Sequence, residues 1–213
     1  PRRVTACTGI DALSHALESA VTLKRNKDSF RHSSIALQLI EKNLPLVFTD
    51  PDNMDARGEV LLGASHAGAA IERSMLGAAH SMANPLTAHK GIVHGIAVGL
   101  SLPVVMAYNA EQPEVCSVYA ELSRAIQLAS REATDSEAAQ LLIQRVHELL
   151  KLAEFPKSLY DLGFSTSDLP ILSKDASKQW TATFNPRPMD ASIFQNLYAQ
   201  LLSASTCDLG SNE

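Results

Sequence analysis

Apolar residues recur about every 3.6 residues along almost the whole chain of 213 residues, which is the spacing of one α-helical face. Ile10, Leu13, Leu17 and Val21 form a typical series. Half-buried strands instead alternate apolar and polar residues, and no such alternation runs beyond about four positions here. The pattern therefore predicts an all-α fold, in which roughly eight helices surround one core and residues 1–213 form a single helical domain.

Helix boundaries follow from capping and breaking residues. Thr8 is the expected N-cap of the first helix, and Pro85 should break any helix near Asn84. The polar tail after Ser203 is expected to fray. The predicted helices cover residues 9–24, 30–48, 55–73, 93–108, 114–129, 135–152 and 190–202, with a short helix capped by residues 165–168.

Composition excludes two classes of partner. The chain has 18 Lys and Arg against 23 Asp and Glu, a net charge of −5, and no basic stripe that could follow a nucleic acid. The longest apolar stretch, residues 96–107, is too short to span a bilayer and is expected to be a buried core helix. Three widely spaced cysteines without a CxxC pair favour free thiols in a reducing cytoplasm.

The glycines of residues 91–99 raise the question of a nucleotide site. Gly91, Gly95 and Gly99 are spaced four apart and follow no predicted strand, whereas a dinucleotide fingerprint has a different spacing and opens directly after one. Their pattern therefore indicates close packing between helices. No other segment predicts a nucleotide-binding βαβ unit.

The first candidate site lies on the first helix. Asp11 and His15 are four residues apart, which places a carboxylate and an imidazole on one helical face, as two ligands of one ion require. An alternative is that Thr8 and Asp11 form a capping box and that the acid favours the helix dipole.

The second candidate site is a group of three histidines, His80, His89 and His94, within fifteen positions rich in glycine, alanine and aliphatic residues. Imidazoles in an apolar setting lose their proton or gain a partner, and neutral imidazoles are good ligands for divalent metals. The alternative is a core histidine bonded to a backbone carbonyl, which is strongest for His89. The remaining histidines are expected to be structural or solvated: His32, His66 and His147.

Three segments carry a resemblance to a known family. Residues 8–18 (TGIDALSHALE), residues 77–95 and the Asn185–Pro188 stretch before the last helix resemble, in order, the metal-binding domain of the iron-containing (group III) alcohol dehydrogenases. The resemblance covers nearly the whole chain. It implies an all-helical domain of the dehydroquinate synthase-like superfamily and a divalent metal, usually iron (Fe2+) and sometimes zinc (Zn2+). It implies one aspartate and three histidine ligands, here Asp11, His15, His80 and His94.

The resemblance also implies an activity and partners. Such enzymes transfer hydride between an alcohol or aldehyde and NAD or NADP, which is held mainly by an N-terminal α/β domain. This sequence begins at Pro1 and shows no such domain, so it is interpreted as a fragment that binds metal and is inactive alone. A domain separated from its partner exposes apolar surface, so we also expect a homo-oligomer.

One position departs from the family pattern. Many members carry a further histidine four residues after the third ligand, close to the nicotinamide, and here that residue is Asn84. Asn84 is the candidate catalytic and cofactor-binding residue, although an amide cannot take a proton near neutral pH. His89 is the second catalytic candidate, provided that the chain folds it toward the metal.

Other functions remain open at this level. Glycerol dehydrogenases, metal-free maleylacetate reductases and dehydroquinate synthases belong to the same superfamily, and the intact set of four ligands favours the alcohol dehydrogenases among them. A different class of function is a helical interaction domain without catalysis. In that case the four side chains would point to different places.

Overall fold

The computed structural model describes residues 1–203 of the chain. Those residues form nine α-helices and three short 3-10 helices without a strand, which confirms the all-α prediction. The tail after Ser203 and the thiol of Cys207 lie outside the described residues. The α-helices are α1 (Arg2–Ser19), α2 (Lys27–Thr49), α3 (Met54–Ser74), α4 (Ala78–Lys90), α5 (His94–Ala110), α6 (Pro113–Ala125), α7 (Asp135–Leu152), α8 (Leu169–Ser177) and α9 (Ala191–Ser203), and the 3-10 helices are Tyr160–Leu162, Thr166–Asp168 and Trp180–Phe184.

Helix α1 lies at the centre of the domain and packs against α2, α3 and α5. Its apolar face, with Ile10, Leu13 and Leu17, is fully buried. Helix α4 packs against α5, α8 and the Trp180–Phe184 segment. Since α1 and α4 each contact α5, polar side chains on α1, α4 and the start of α5 can meet at one place.

The first helix begins earlier and ends earlier than the sequence predicts. It starts at Arg2, so Thr8 lies inside the helix, where its hydroxyl donates to the Val4 carbonyl at 2.9 Å. Thr8 as N-cap and the capping box with Asp11 were therefore wrong. The helix ends at Ser19 rather than at residue 24, and Thr22 beyond it donates to the Ser74 carbonyl at 2.6 Å.

Helix α4 continues through Pro85 to Lys90, so the predicted break near Asn84 was wrong. A proline removes one N–H from the helical ladder, and packing must offset that loss. Met82 and Leu86, on either side of the proline, are fully buried. The hydroxyl of Tyr198 in α9 also donates to the Met82 carbonyl at 2.6 Å. Tertiary contacts therefore hold a helix that local sequence disfavours.

Two of the three glycines predicted to pack helices do so. A Cβ at Gly95 would overlap the Cys7 carbonyl group of α1, and one at Gly99 would lie 2.9 Å from the Ile10 side chain. Gly91 instead caps α4 in the left-handed conformation, with φ of 65°, so its assignment to helix packing was wrong. The absence of a Cβ at Gly95 lets the start of α5 touch the α1 backbone.

The longest apolar stretch and the two described cysteines agree with what the sequence predicts. Residues 96–107 lie within α5, which is buried along most of its length, as predicted. Cys7 and Cys116 are free thiols. Between residues 1 and 203, no helix combines the length and the apolar character needed to cross a bilayer.

Candidate metal centre

Three acidic or imidazole side chains share one face of α1. Asp11, His15 and Glu18 follow a spacing of four and three residues, which keeps them within about 60° of one another around the helix. Asp11 and His15 are half-buried, whereas Glu18 is only 4% exposed. This face is turned toward the start of α4 and the start of α5.

The structure brings the four predicted ligands together around one oxygen atom. The Nε2 atoms of His15, His80 and His94 lie 3.4, 3.6 and 3.5 Å from Asp11 Oδ1. The rings pack on one another, with centroids 4.9 Å apart for His15 and His80 and 5.3 Å apart for His80 and His94. The cluster thus joins α1, α4 and α5, which are distant in sequence.

The donor atoms of the cluster fit a cation better than they fit one another. N–H···O hydrogen bonds are about 2.7–3.2 Å long, so the contacts of 3.4–3.6 Å to Asp11 Oδ1 are longer than such bonds. Asp11 Oδ1 and His80 Nε2 are indeed buried without a hydrogen bond, which is rare for polar atoms in folded proteins. Tetrahedral zinc sites have bonds of about 2.1 Å, which give edges of about 3.4 Å, close to the three separations observed from Asp11 Oδ1.

The electrostatics of the cluster favour metal-binding protonation states for three of the four residues. Burial raises the pKa of Asp11, but attraction to the three imidazoles outweighs burial and lowers it overall. Burial lowers the pKa of His15 to about 4, although attraction to the Asp11 carboxylate raises it in part. Burial also lowers the pKa of His94. At neutral pH the site therefore offers an anionic carboxylate and two neutral imidazoles.

His80 differs because a second carboxylate holds its other ring nitrogen. Its Nδ1 is hydrogen-bonded to Glu18 Oε2, while Glu18 Oε1 accepts the Ala79 N–H at 2.7 Å. Burial would lower the pKa of His80, yet Glu18 and Asp11 together raise it to about 9. Glu18 was not among the residues predicted from the sequence. The available signal was its spacing, because an acid three residues after His15 lies on the same helical face as Asp11 and His15.

The two catalytic candidates lie in different surroundings. Asn84, one turn after His80 on α4, donates its Nδ2 to Gln179 Oε1 at 2.9 Å. His89 is nine residues after His80, which places it on the opposite face of the continuous helix. There its Nε2 lies 2.9 Å from Asp175 Oδ2 of α8. The structure therefore places His89 with α8 and does not bring it to the four predicted ligands.

The three remaining histidines lie on α2, α3 and α7. His32 and His66 face each other across α2 and α3, with their Nδ1 atoms 2.8 Å apart. Burial lowers the pKa of His147 in α7. The ligand atoms of Asp11, His15 and His80 all lie within 4.8 Å of one another, and this group includes neither these three histidines nor His94.

Comparison with known proteins assigns the chain to a family. Residues 5–202 match the Fe-containing alcohol dehydrogenase family, C-terminal. The chain belongs to the iron-containing alcohol dehydrogenase family. The resemblance read from the three sequence segments is thereby confirmed, and the chain corresponds to the C-terminal part of these oxidoreductases.

Relatives within the iron-containing alcohol dehydrogenases are longer than this chain. It is 33% identical over 207 residues to the 1-propanol dehydrogenase PduQ of Citrobacter freundii, covering 95% of this chain and 56% of that protein. A crystal structure of a 1,3-propanediol oxidoreductase matches with a TM-score of 0.91 at 28% identity, covering 95% of this chain and 52% of that one. The alcohol dehydrogenase of Oenococcus oeni matches with a TM-score of 0.89 at 28% identity, covering 94% of this chain and 52% of that one. The chain thus spans about half the length of these relatives.

Proposed function

We propose that this chain is the metal-binding part of an NAD- or NADP-dependent alcohol dehydrogenase, which moves hydride between an alcohol or aldehyde and the nicotinamide. The observation that supports this proposal is the approach of three imidazole nitrogens to one buried, unpartnered carboxylate oxygen. The similarity to a 1-propanol dehydrogenase favours primary alcohols as substrates.

In this proposal Asp11, His15, His80 and His94 hold one divalent cation, Fe2+ or Zn2+. When bound, such a cation polarises the substrate oxygen as a Lewis acid. Asp11 supplies the negative charge that draws the cation, and the partly buried imidazoles of His15 and His94 present lone pairs because they are neutral. His94 is the most exposed of these side chains, so a substrate would reach the cluster from its side.

We further propose that Asn84 lies on the cofactor side of the cluster, where its amide orients groups by hydrogen bonding and leaves proton transfer to solvent or other residues. An amide neither gains nor loses a proton near neutral pH, and Gln179 already holds its Nδ2. The catalytic part predicted for His89 stays a prediction, and its pairing with Asp175 on the far side of α4 does not support it.

Two partners belong to the proposed function, a nucleotide-binding domain and a second copy of the chain. Cofactor binding is assigned to a separate nucleotide-binding domain, because residues 1–203 contain no strand on which a dinucleotide fold could be built. A homo-oligomer is retained as a proposal. Exposed apolar side chains on α3, such as Met54 and Leu61, are surface that another chain or domain could cover.

A direct test combines metal analysis with an activity assay. The chain should bind one equivalent of Zn2+, or of Fe2+ without oxygen, and should not oxidise 1-propanol with NAD or NADP. Binding is expected because the cluster is preformed, and inactivity because most cofactor contacts would be absent. Elemental analysis and nicotinamide absorbance provide the two measurements. Finding no bound ion at neutral pH, or full turnover by the chain alone, would refute the proposal.

Metal affinity should depend on pH through His80. A proton and a cation compete for Nε2 of His80, whose pKa is raised to about 9, so binding near pH 7.5 should release about one proton. The apparent Zn2+ affinity should therefore rise about tenfold per pH unit from about 6.5 to 9. Calorimetry in buffers of different ionisation enthalpy measures the proton release. A flat profile over this range would contradict the assigned ligand.

A further inference from the structure

Glu18 contacts the metal cluster without belonging to the four predicted ligands. Its side chain is 4% exposed, and a buried carboxylate is costly unless hydrogen bonds and opposite charge compensate it. Its two oxygens have separate partners, the His80 ring at Oε2 and the Ala79 N–H at Oε1. The carboxylate therefore joins α1 to the first turn of α4 directly at a predicted ligand.

The bond to His80 is made at the nitrogen that faces away from the cluster. His80 Nδ1 points to Glu18, whereas Nε2 points to Asp11 Oδ1 at 3.6 Å. A carboxylate on Nδ1 fixes that nitrogen as an N–H, so Nε2 is the nitrogen at which a cation would take the place of a proton. Since both oxygens of Glu18 are already engaged, the carboxylate orients the imidazole and does not itself face the cation.

The surroundings of Glu18 keep it in this position. A Cβ at Gly77 would lie 3.0 Å from Glu18 Oε1 and 3.2 Å from Asn185 Oδ1, so the glycine leaves room for both side chains. Asn185 accepts the Ala78 N–H at 3.3 Å and exchanges two hydrogen bonds with Asn109, at 3.0 and 2.8 Å. The free N–H groups at the start of α4 are thus shared between Glu18 and Asn185.

Among the three histidines of the cluster, His80 alone has a carboxylate at Nδ1 within residues 1–203. Resting on the function proposed above, we infer that Glu18 is a positioning residue, which fixes the ring orientation and tautomer of His80 so that Nε2 faces the cation. Residues that hold a metal-bound histidine in this way commonly contribute about 10- to 100-fold to metal affinity.

The test compares Zn2+ affinities of the 213-residue chain and two variants by competition with a chromophoric chelator. Glu18→Gln keeps the shape but replaces one acceptor oxygen with an NH2 group, so the Ala79 N–H or the His80 Nδ1–H loses its acceptor. We expect its affinity to fall by about 10- to 100-fold. Glu41→Gln removes a matched, largely buried carboxylate that pairs with Arg145 at 2.7 Å, and it should change affinity less than about twofold.

Unchanged affinity in a folded Glu18→Gln variant would overturn the inference and leave the proposed function intact. Absence of Zn2+ binding by the unmodified chain would overturn both. If the variant does not fold, nitrogen-15 NMR of the zinc-loaded unmodified chain decides the question. The inference expects a protected His80 Nδ1–H with Nε2 bound to zinc, and zinc on Nδ1 or an unprotected Nδ1–H would overturn it.

Discussion

Replacing Asp11 by alanine is expected to reduce the Zn2+ affinity of the chain by about 100-fold or more. Structural zinc sites with four ligands bind their ion with about 10–16 kcal/mol, so one ligand contributes about 3 kcal/mol, and 1.4 kcal/mol corresponds to a factor of ten. The loss should be large here because all three imidazole nitrogens approach Asp11 Oδ1. Equilibrium dialysis with Zn2+ measures the change.

Two comparisons make the Asp11→Ala result specific. Asp52→Ala removes an exposed acid from the turn after α2 and should leave the affinity unchanged. His94→Ala should lose the ion as Asp11→Ala does, with helical circular dichroism retained in both variants. A tightly bound equivalent of zinc in folded Asp11→Ala would show that the cluster is not the metal site.

Replacing Gly95 by alanine is expected to destabilise the domain by about 3 kcal/mol, because the new Cβ would overlap the Cys7 carbonyl group. For a chain of this size, a loss of that magnitude lowers Tm by about 6–12 °C. The shift of α5 away from α1 should also move His94 from Asp11 and weaken metal binding. Thermal unfolding of the metal-free and zinc-loaded protein separates these two effects.

Gly58→Ala is the matched control for this substitution. Gly58 lies on an exposed turn of α3 and has nothing within 4 Å of its missing Cβ. Alanine there should stabilise the helix by up to about 1 kcal/mol. If Gly95→Ala were as stable as the unmodified chain, the close contact of α5 with α1 would not be what positions His94.

The helical class and the pairing of Asp11 with His15 could be predicted from the sequence because both depend on short-range spacing, whereas the full set of four predicted ligands rested on the family resemblance. Apolar periodicity determines which face of a helix is buried, and the four-residue spacing of Asp11 and His15 places both on one face of α1. The helix boundaries were less predictable. Pro85 disfavours a helix locally, but burial of Met82 and Leu86 outweighs that preference.

Glu18 and His89 show which features of the site the sequence could not supply. The function of Glu18 depends on its distance to His80, 62 positions away in the chain, and on the absence of a side chain at Gly77. His89 was a candidate as one of three histidines in an apolar segment, and it could reach the metal only if the chain near Pro85 did not continue as a helix. In the continuous helix it lies opposite His80 and pairs with Asp175. The positions of Glu18 and His89 both depend on contacts between segments that are distant in the chain, which local sequence patterns do not reveal.

The most direct test of the metal centre is a crystal structure of the chain loaded with Zn2+, with the ion located by its anomalous scattering. We expect one ion bound by Nε2 of His15, His80 and His94 and by a carboxylate oxygen of Asp11, with Glu18 on His80 Nδ1. An ion bound elsewhere, or these four side chains turned away from a common centre, would contradict it.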